Sequence, residues 1–370
     1  MIVQLPHLFV MLNAYTQRKS GGVAAAAEII KRLPEVKVSI ITSSLGEQFC
    51  RGKGIRADYR RTTREKKIGN ILLLYGRRLV RALFLPLRPK RGDIFLVTSD
   101  FLPDTLPVWW RKTLGQKIFW TQHIFHFIPP QRKISFLMQR ISLALIRQRA
   151  DLIFVDNRIL KDELIGRGFL PLKIVVNYLG VDHRFFKTAP GKRPKIFYQG
   201  VFIGRLHPSK GIFNLIKIWA VVVKKLPQAK LIMVGHGEEE IVMRLKREIS
   251  RRGLQKNIIL AGFLPDQKVV EVLSRGEIFV SPSLEEGFGL AILEAQAVGK
   301  PVVAWDLPVF KEIFPRGLIR VPLGQNKAFA AALIALLTKK KYYQKVAFEA
   351  KKILLIILGE KPRVGNGKKF

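Results

Sequence analysis

The chain contains a single cysteine, Cys50, in 370 residues. A disulfide framework is therefore excluded, as is a zinc cage built from thiolates, and a lone thiol fits a reducing compartment. There is no Asp-x-Asp pair, the spacing at which two carboxylates can share a divalent ion, and its absence favours chemistry without a metal. His123 and His126 share a segment but have no acidic or cysteine neighbour at ligand spacing, so no zinc site is expected there. Apolar runs of membrane-spanning length are missing too. Residues 1–10 are apolar but lack a basic leader and a cleavage site, so they read as a first strand and not as a signal peptide.

Acidic residues are scarce: 27 Asp and Glu stand against 65 Lys and Arg, a formal net charge of +38. A field of that sign attracts anionic membrane, nucleic acid or phosphorylated substrates. Residues 51–91 alone hold 14 Lys/Arg and 2 Asp/Glu, interleaved with the apolar run Ile71-Leu-Leu-Leu-Tyr75 and with Leu79, Val80, Leu83 and Phe84. Such a basic amphipathic segment either docks on an anionic bilayer or is a domain helix with a basic solvent face. Residues 132–149 repeat the pattern with five basic and no acidic residues. Two such faces favour a protein that is cytoplasmic and peripheral at the inner face of the cell membrane. A nucleic-acid-binding protein would also explain the charge, but no nucleic-acid module is recognisable, so no nucleic-acid partner is expected.

What the chain does have is alternation. Strands are expected at 7–12, 36–42, 94–97, 117–120, 152–155 and 174–177, then at 195–201, 229–234, 257–261, 278–280, 302–304 and 318–321. Helical spacing lies between them, for example at 23–33, 160–167, 211–226, 238–249, 266–274 and 327–337. This βαβ grammar predicts an α/β fold with parallel sheets covered by helices on both faces. The Pro/Gly-containing polar stretch 187–194 reads as a linker. It divides a first domain, 1–187, from a second, 188–345, and leaves 346–370 as a C-terminal segment and candidate crossover helix. Ligands of such sheets bind at the carboxyl ends of the strands.

The stretch Ser281-Pro-Ser-Leu-Glu-Glu-Gly-Phe-Gly-Leu-Ala-Ile-Leu-Glu294 sets two carboxylates, Glu286 and Glu294, on either side of a glycine-containing turn into a helix. A helix N-terminus offers unpaired N–H groups and the positive end of the dipole, so Gly287, Phe288, Gly289 and Leu290 can hold a diphosphate by their backbones. Glu286 would then reach a sugar, and Glu294 a ribose diol. Glutamates near a helix start also have an ordinary explanation in capping and dipole chemistry. Gly204-Arg205-Leu206 and Lys210-Gly211 follow the first strand of the second half, where a guanidinium fork and an ammonium would neutralise a diphosphate leaving group. Gly21-Gly22 opens a helix after the first strand, and Gly235-His-Gly237 ends another strand. Each pair allows backbone to approach a ligand; a flexible turn also explains the first, and a structural tight turn explains the second almost as well.

The string 281–294 resembles the E-x7-E donor-site signature of glycosyltransferase family 4, the group 1 glycosyltransferases. Gly204-Arg205-Leu206 with Lys210-Gly211 resembles that family's Gly-Arg-Leu…Lys-Gly element, and Gly21-Gly22 its Gly-Gly loop. The resemblance implies the GT-B fold, two doubly wound Rossmann-like domains facing a central cleft. It also implies a retaining transferase that moves a hexose, of mannose or glucose type, from a nucleotide-diphosphate sugar to a hydroxyl of a lipid-linked or glycan acceptor, as in polysaccharide biosynthesis. No cofactor is expected. The family commonly points a first-domain histidine at the transferred sugar, and His123 is preferred to His126 for that place. Catalytic roles then fall to His123, Arg205, Lys210 and Glu286; donor binding falls to Gly21, Gly22, Gly204, Gly235, Gly237, Gly287, Phe288, Gly289, Leu290 and Glu294, with Phe263 and Pro265 near the base. Asn177-Tyr-Leu-Gly180-Val-Asp182 resembles an element before the linker, with Tyr-Leu inserted. Trp305-Asp306-Leu-Pro-Val-Phe310 replaces the usual small-residue run, so sugar selectivity does not carry over. A sugar-nucleotide epimerase of the same fold would keep the nucleotide site without a second substrate.

Overall fold

In a computed structural model, residues 5–15, 21–33, 35–65, 70–181 and 197–357 are described. The chain forms two compact units, residues 1–178 and 179–370. The expected linker at 187–194 lies outside the described residues.

Unit 1 is built on a seven-stranded sheet of β1 (Leu8–Leu12), β2 (Val38–Thr42), β3 (Asp58–Arg61), β4 (Ile94–Val97), β5 (Phe119–Ile124), β6 (Leu152–Val155) and β7 (Ile174–Val176). Its order is β3-β2-β1-β4-β5-β6-β7 and every pairing is parallel. The helices are α1 (Gly21–Lys31), α2 (Ser44–Gly52), α3 (Ile71–Leu83), α4 (Leu102–Thr113), α5 (Lys133–Arg149) and α6 (Arg158–Gly166). The apolar run Leu-Phe-Val-Met-Leu of β1 is buried at every position, as a strand covered on both faces requires. Its alternation divides the core: Leu8, Val10 and Leu12 join Ile40 and Leu45 on one side, while Phe9 and Met11 join Phe95, Val97 and Trp120 on the other.

Unit 2 repeats the plan with β8 (Tyr198–Ile203), β9 (Leu231–Val234), β10 (Ile258–Gly262), β11 (Gly276–Ser281), β12 (Val302–Trp305) and β13 (Leu318–Val321). The order is β10-β9-β8-β11-β12-β13, again all parallel. Its helices are α7 (Ile212–Lys225), α8 (Glu239–Arg251), α9 (Asp266–Arg275), α10 (Leu290–Ala297), α11 (Pro308–Ile313), α12 (Asn326–Thr338) and α13 (Lys340–Ile357). Trp219 of α7 is fully buried against the sheet, and a Cβ at Gly200 would come within 2.6 Å of its ring. Helix α13 enters the candidate crossover segment and packs against α10 and α12 of its own unit; residues 358–370 lie outside the described residues.

The strand orders locate the sites. In unit 2 the chain leaves β8 toward β9 and leaves β11 toward β12, in opposite directions across the sheet. Loops that diverge in this way leave a crevice at the carboxyl ends of the two adjacent strands. The neighbours β1 and β4 form the corresponding point in unit 1.

Candidate functional site

Most of the residues expected to hold a nucleotide sugar in unit 2 come from the two loops at its switch point. Gly204 and Arg205 follow β8, and the loop closes in a 3-10 turn, Pro208–Lys210, which His207 caps by accepting from the Ser209 N–H at 3.2 Å. Glu286 belongs to the loop after β11, which runs into α10.

The two loops are joined at three points. Lys210 Nζ donates to Glu286 Oε1 at 2.6 Å, with the two side chains 23% and 18% exposed. The Leu284 N–H donates to Ser209 O at 2.8 Å. Gly211, left-handed at φ +66°, lies so close to the other loop that a Cβ would come 1.8 Å from Pro282 O. Only glycine meets both the dihedral and the distance. The ammonium and the carboxylate expected to act on opposite ends of a donor are thus partners of each other.

Beyond Glu286 the chain is fixed by packing. Phe288 is buried edge-to-face against Phe314 at 6.3 Å, so its side chain anchors the turn. Gly289 caps α10 at φ +96°, where a Cβ would lie 3.1 Å from both Phe310 and Phe314. Leu290 opens the helix, and Glu294 is its fifth residue, half-buried. Gly287 and Leu290 are half-buried as well.

Gly235 and Gly237 have a close approach of their own. A Cβ at Gly235, φ +149°, would lie 1.8 Å from Gly204 O, and one at Gly237 would lie 2.4 Å from Leu206 O. The Leu206 N–H donates to His236 O at 2.8 Å. These glycines let the loop after β9 lie backbone to backbone on the Arg205 loop, and so shape its conformation. At the rim, Phe263 is 54% exposed and meets His236 edge-on at 6.4 Å.

In unit 1, Gly21 and Gly22 are the first two residues of α1. β5 continues through Thr121, Gln122 and His123 instead of ending at residue 120, so His123 lies within the strand. It is 3% exposed, stacks on Phe125 at 4.0 Å, and its Nε2 lies 2.7 Å from Asp156 Oδ1. His126 is exposed in the following loop. Asp156, just past the end of β6, was not anticipated from the sequence; burial pushes its carboxyl up, and the hydrogen bond to His123 acts against that. Nearby Asp100 is buried with its carboxyl also pushed up by burial, and it accepts from Gln139 Nε2 at 2.5 Å. Acidic residues at the carboxyl ends of β4 and β6, the two parallel strands that flank β5, were the available signal for both.

Residues 182–353 match the family model for group 1 glycosyl transferases. Unit 2 is a group 1 glycosyltransferase domain. The chain is 24% identical over 228 residues to the phosphatidylinositol N-acetylglucosaminyltransferase gpi3 subunit of Schizosaccharomyces pombe, covering 61% of this chain and 49% of that protein. It is 32% identical over 148 residues to the phosphatidyl-myo-inositol mannosyltransferase of Mycobacterium leprae, covering 39% of this chain and 38% of that one. The chain thus spans half or less of the length of these curated relatives. Among solved structures, Alr3699/HepE of Anabaena in complex with UDP and glucose superposes with a TM-score of 0.77 over 96% of this chain and 97% of that one, at 18% identity. That likeness is one of fold, and it is the GT-B fold: two Rossmann-like units, each with its own parallel sheet. In the glycosyltransferase domain, the loops after β8 and β11 are those that carried the family resemblance.

Proposed function

We propose that the protein is a retaining glycosyltransferase that moves a hexose, of mannose or glucose type, from a nucleotide-diphosphate sugar to a hydroxyl of a lipid-linked acceptor. The observation that carries this reading is the Lys210–Glu286 pair at the switch point of unit 2, where a cation and a carboxylate stand on facing loops beside a helix N-terminus. When a donor binds, Lys210 and Arg205 turn to the diphosphate, with the first N–H groups of α10 adding the positive end of a dipole. Glu286 takes the sugar hydroxyls and Glu294 the ribose. The exposed Phe263 face beside His236 offers a stacking surface for the base. The bond from the anomeric carbon to the diphosphate breaks, the acceptor oxygen bonds to that carbon on the same face, and its proton passes to the leaving diphosphate. Among the described residues no carboxylate pair is identified as nucleophile and acid, which favours this front-face course. His123 is the residue proposed to face the sugar.

Both relatives named above act on phosphatidylinositol lipids by name, which supports a lipid acceptor and work at a membrane surface. The association proposed is peripheral; among the described residues no helix is long and apolar enough to cross a membrane. The test is thermal stabilisation by a panel of nucleotide-diphosphate sugars in wild type, Arg205→Ala and Glu286→Ala. At least one donor should raise the wild-type midpoint and lose most of that effect in both variants. If no nucleotide sugar stabilises the protein, or the variants respond as wild type does, the site is misassigned. Donor turnover without any acceptor would favour an epimerase of the same fold.

A further inference from the structure

Unit 1 holds a cavity of about 870 Å³ at the carboxyl end of its edge strand β3, where Thr62 of its lining donates to Asn13 Oδ1, just past β1, at 2.6 Å. Arg61, Arg64, Arg77 and Arg81 line it, with Thr63 and Leu74. The charges do not cancel. Arg61 is held by Glu47 at 2.5 Å. Glu65, the one carboxylate among the described residues of the lining, is taken by the fully buried Arg78, which donates from Nε at 3.0 Å and also from Nη2. Burial alone would raise the Glu65 carboxyl, yet the Thr63 hydroxyl and the Arg78 guanidinium beside it hold it below its ordinary value, so it stays charged and neutralises Arg78. Arg81 donates to the Thr62 carbonyl at 3.1 Å, which positions its guanidinium without neutralising it. Arg64 and Arg77 are exposed and form no ion pair among the described residues. Three guanidinium groups are left uncompensated around one concavity, and the planar fork of arginine matches phosphate oxygens in pairs.

The same helix supplies a second property. On α3, Leu74, Arg77 and Arg81 follow the spacing of one face, and Leu73 and Val80 follow the adjoining one, with Phe84 just past the helix end. Those three apolar side chains are 56%, 54% and 79% exposed. A soluble anion would have no use for that rim, whereas a molecule with a phosphate head and a hydrocarbon chain would cover both stripes at once.

We propose that this basin binds the phosphate or diphosphate head of a lipid, with the chain lying along Leu73, Val80 and Phe84. The inference rests on the peripheral-membrane reading above and gives it a place and a chemistry. Its test is co-sedimentation of the full chain with phosphatidylcholine vesicles with and without phosphatidic acid. Because the whole chain is strongly basic, Arg64→Gln/Arg77→Gln is compared with Lys224→Gln/Lys225→Gln, which removes the same charge from exposed positions of unit 2. The first pair should weaken binding to phosphatidic acid vesicles by roughly tenfold or more, and the second by much less, with both thermal midpoints unchanged. Equal loss in the two pairs overturns the basin while leaving membrane docking in place. No vesicle binding by wild type overturns both, and if inorganic phosphate then binds through Arg64 and Arg77, the ligand is a soluble phosphate and the lipid assignment is wrong.

Discussion

Lys210 Nζ lies 2.6 Å from Glu286 Oε1, so the loop after β8 and the loop after β11 meet through the two side chains to which the proposal gives opposite ends of the donor. The pair can be broken by a ligand that offers each partner a better one: a diphosphate for the ammonium, sugar hydroxyls for the carboxylate. Lys210→Met should therefore lower kcat/KM by about 10²- to 10³-fold, the usual effect of losing one group that stabilises developing charge. It should also lower stability by about 1–3 kcal/mol, because Glu286 is left mostly buried and unpaired. Glu286→Gln should weaken donor stabilisation with a smaller loss of stability, since its amide keeps an acceptor for Lys210. Kinetics and thermal melts of the two single variants and the double variant check this; additive losses would mean that the two side chains act separately.

The steric fit between these loops predicts a second difference. Gly211 and Gly253 share a φ of +66°, but a Cβ at Gly211 meets Pro282 O at 1.8 Å while one at Gly253 meets nothing within 4 Å. Gly253→Ala should cost about 1 kcal/mol for the dihedral alone. Gly211→Ala should cost at least about 2 kcal/mol more and abolish donor binding, because Lys210 moves with the backbone. Denaturant unfolding of both variants measures the difference.

The strands β4, β6 and β13 were legible to the residue, because runs buried on one or both faces carry an apolar signature. β3 was not: its Asp-Tyr-Arg-Arg sequence forms an edge strand with three exposed positions, and an exposed edge has no hydrophobic pattern to read. Helix α4 was hidden by Pro103 and Pro107, yet Pro103 sits in its first turn, where its missing N–H is harmless. β5 was read short because it continues through Thr121, Gln122 and His123, polar residues that the structure buries. In unit 2 the glycines and charges of the site were visible as residue types. Their joining was not, since the Lys210–Glu286 pair and the Gly211–Pro282 contact cross about seventy residues of sequence and depend on which strands lie adjacent.

The His123–Asp156 pair can be separated from any catalytic role by its response to pH. Asp156 is 1% exposed, and the hydrogen bond to His123 offsets part of the burial that raises its carboxyl. His123→Ala would leave that carboxylate buried and alone, at a cost of about 3 kcal/mol near neutral pH. A carboxyl raised in the folded state contributes most favourably below its unfolded value and loses that contribution as pH rises. The destabilisation by His123→Ala should therefore shrink toward pH 4, and His123→Ala/Asp156→Asn should be less destabilised than the single variant at pH 7. If His123 also faces the sugar, the double variant recovers stability without recovering activity.

Asp104 offers a pH dependence tied to one side chain. It is fully buried at the start of α4, and burial raises its carboxyl from 3.8 to about 6 against hydrogen bonds from Ser99 and from the N–H groups of Asn13 and Ala14. The fold thus favours the protonated form relative to the unfolded chain. Its contribution is complete below about pH 3.8 and is lost as pH rises through about 6, a change of at most about 3 kcal/mol. Asp104→Asn removes this titration while leaving one oxygen for the Asn13 and Ala14 N–H groups and an amide to donate to the Ser99 hydroxyl. Wild type should lose stability relative to Asp104→Asn between pH 4 and 6.5 in denaturant melts. Parallel curves across that range would mean that Asp104 titrates where an exposed aspartate does, and that the hydrogen bonds to Oδ1 and Oδ2 outweigh burial.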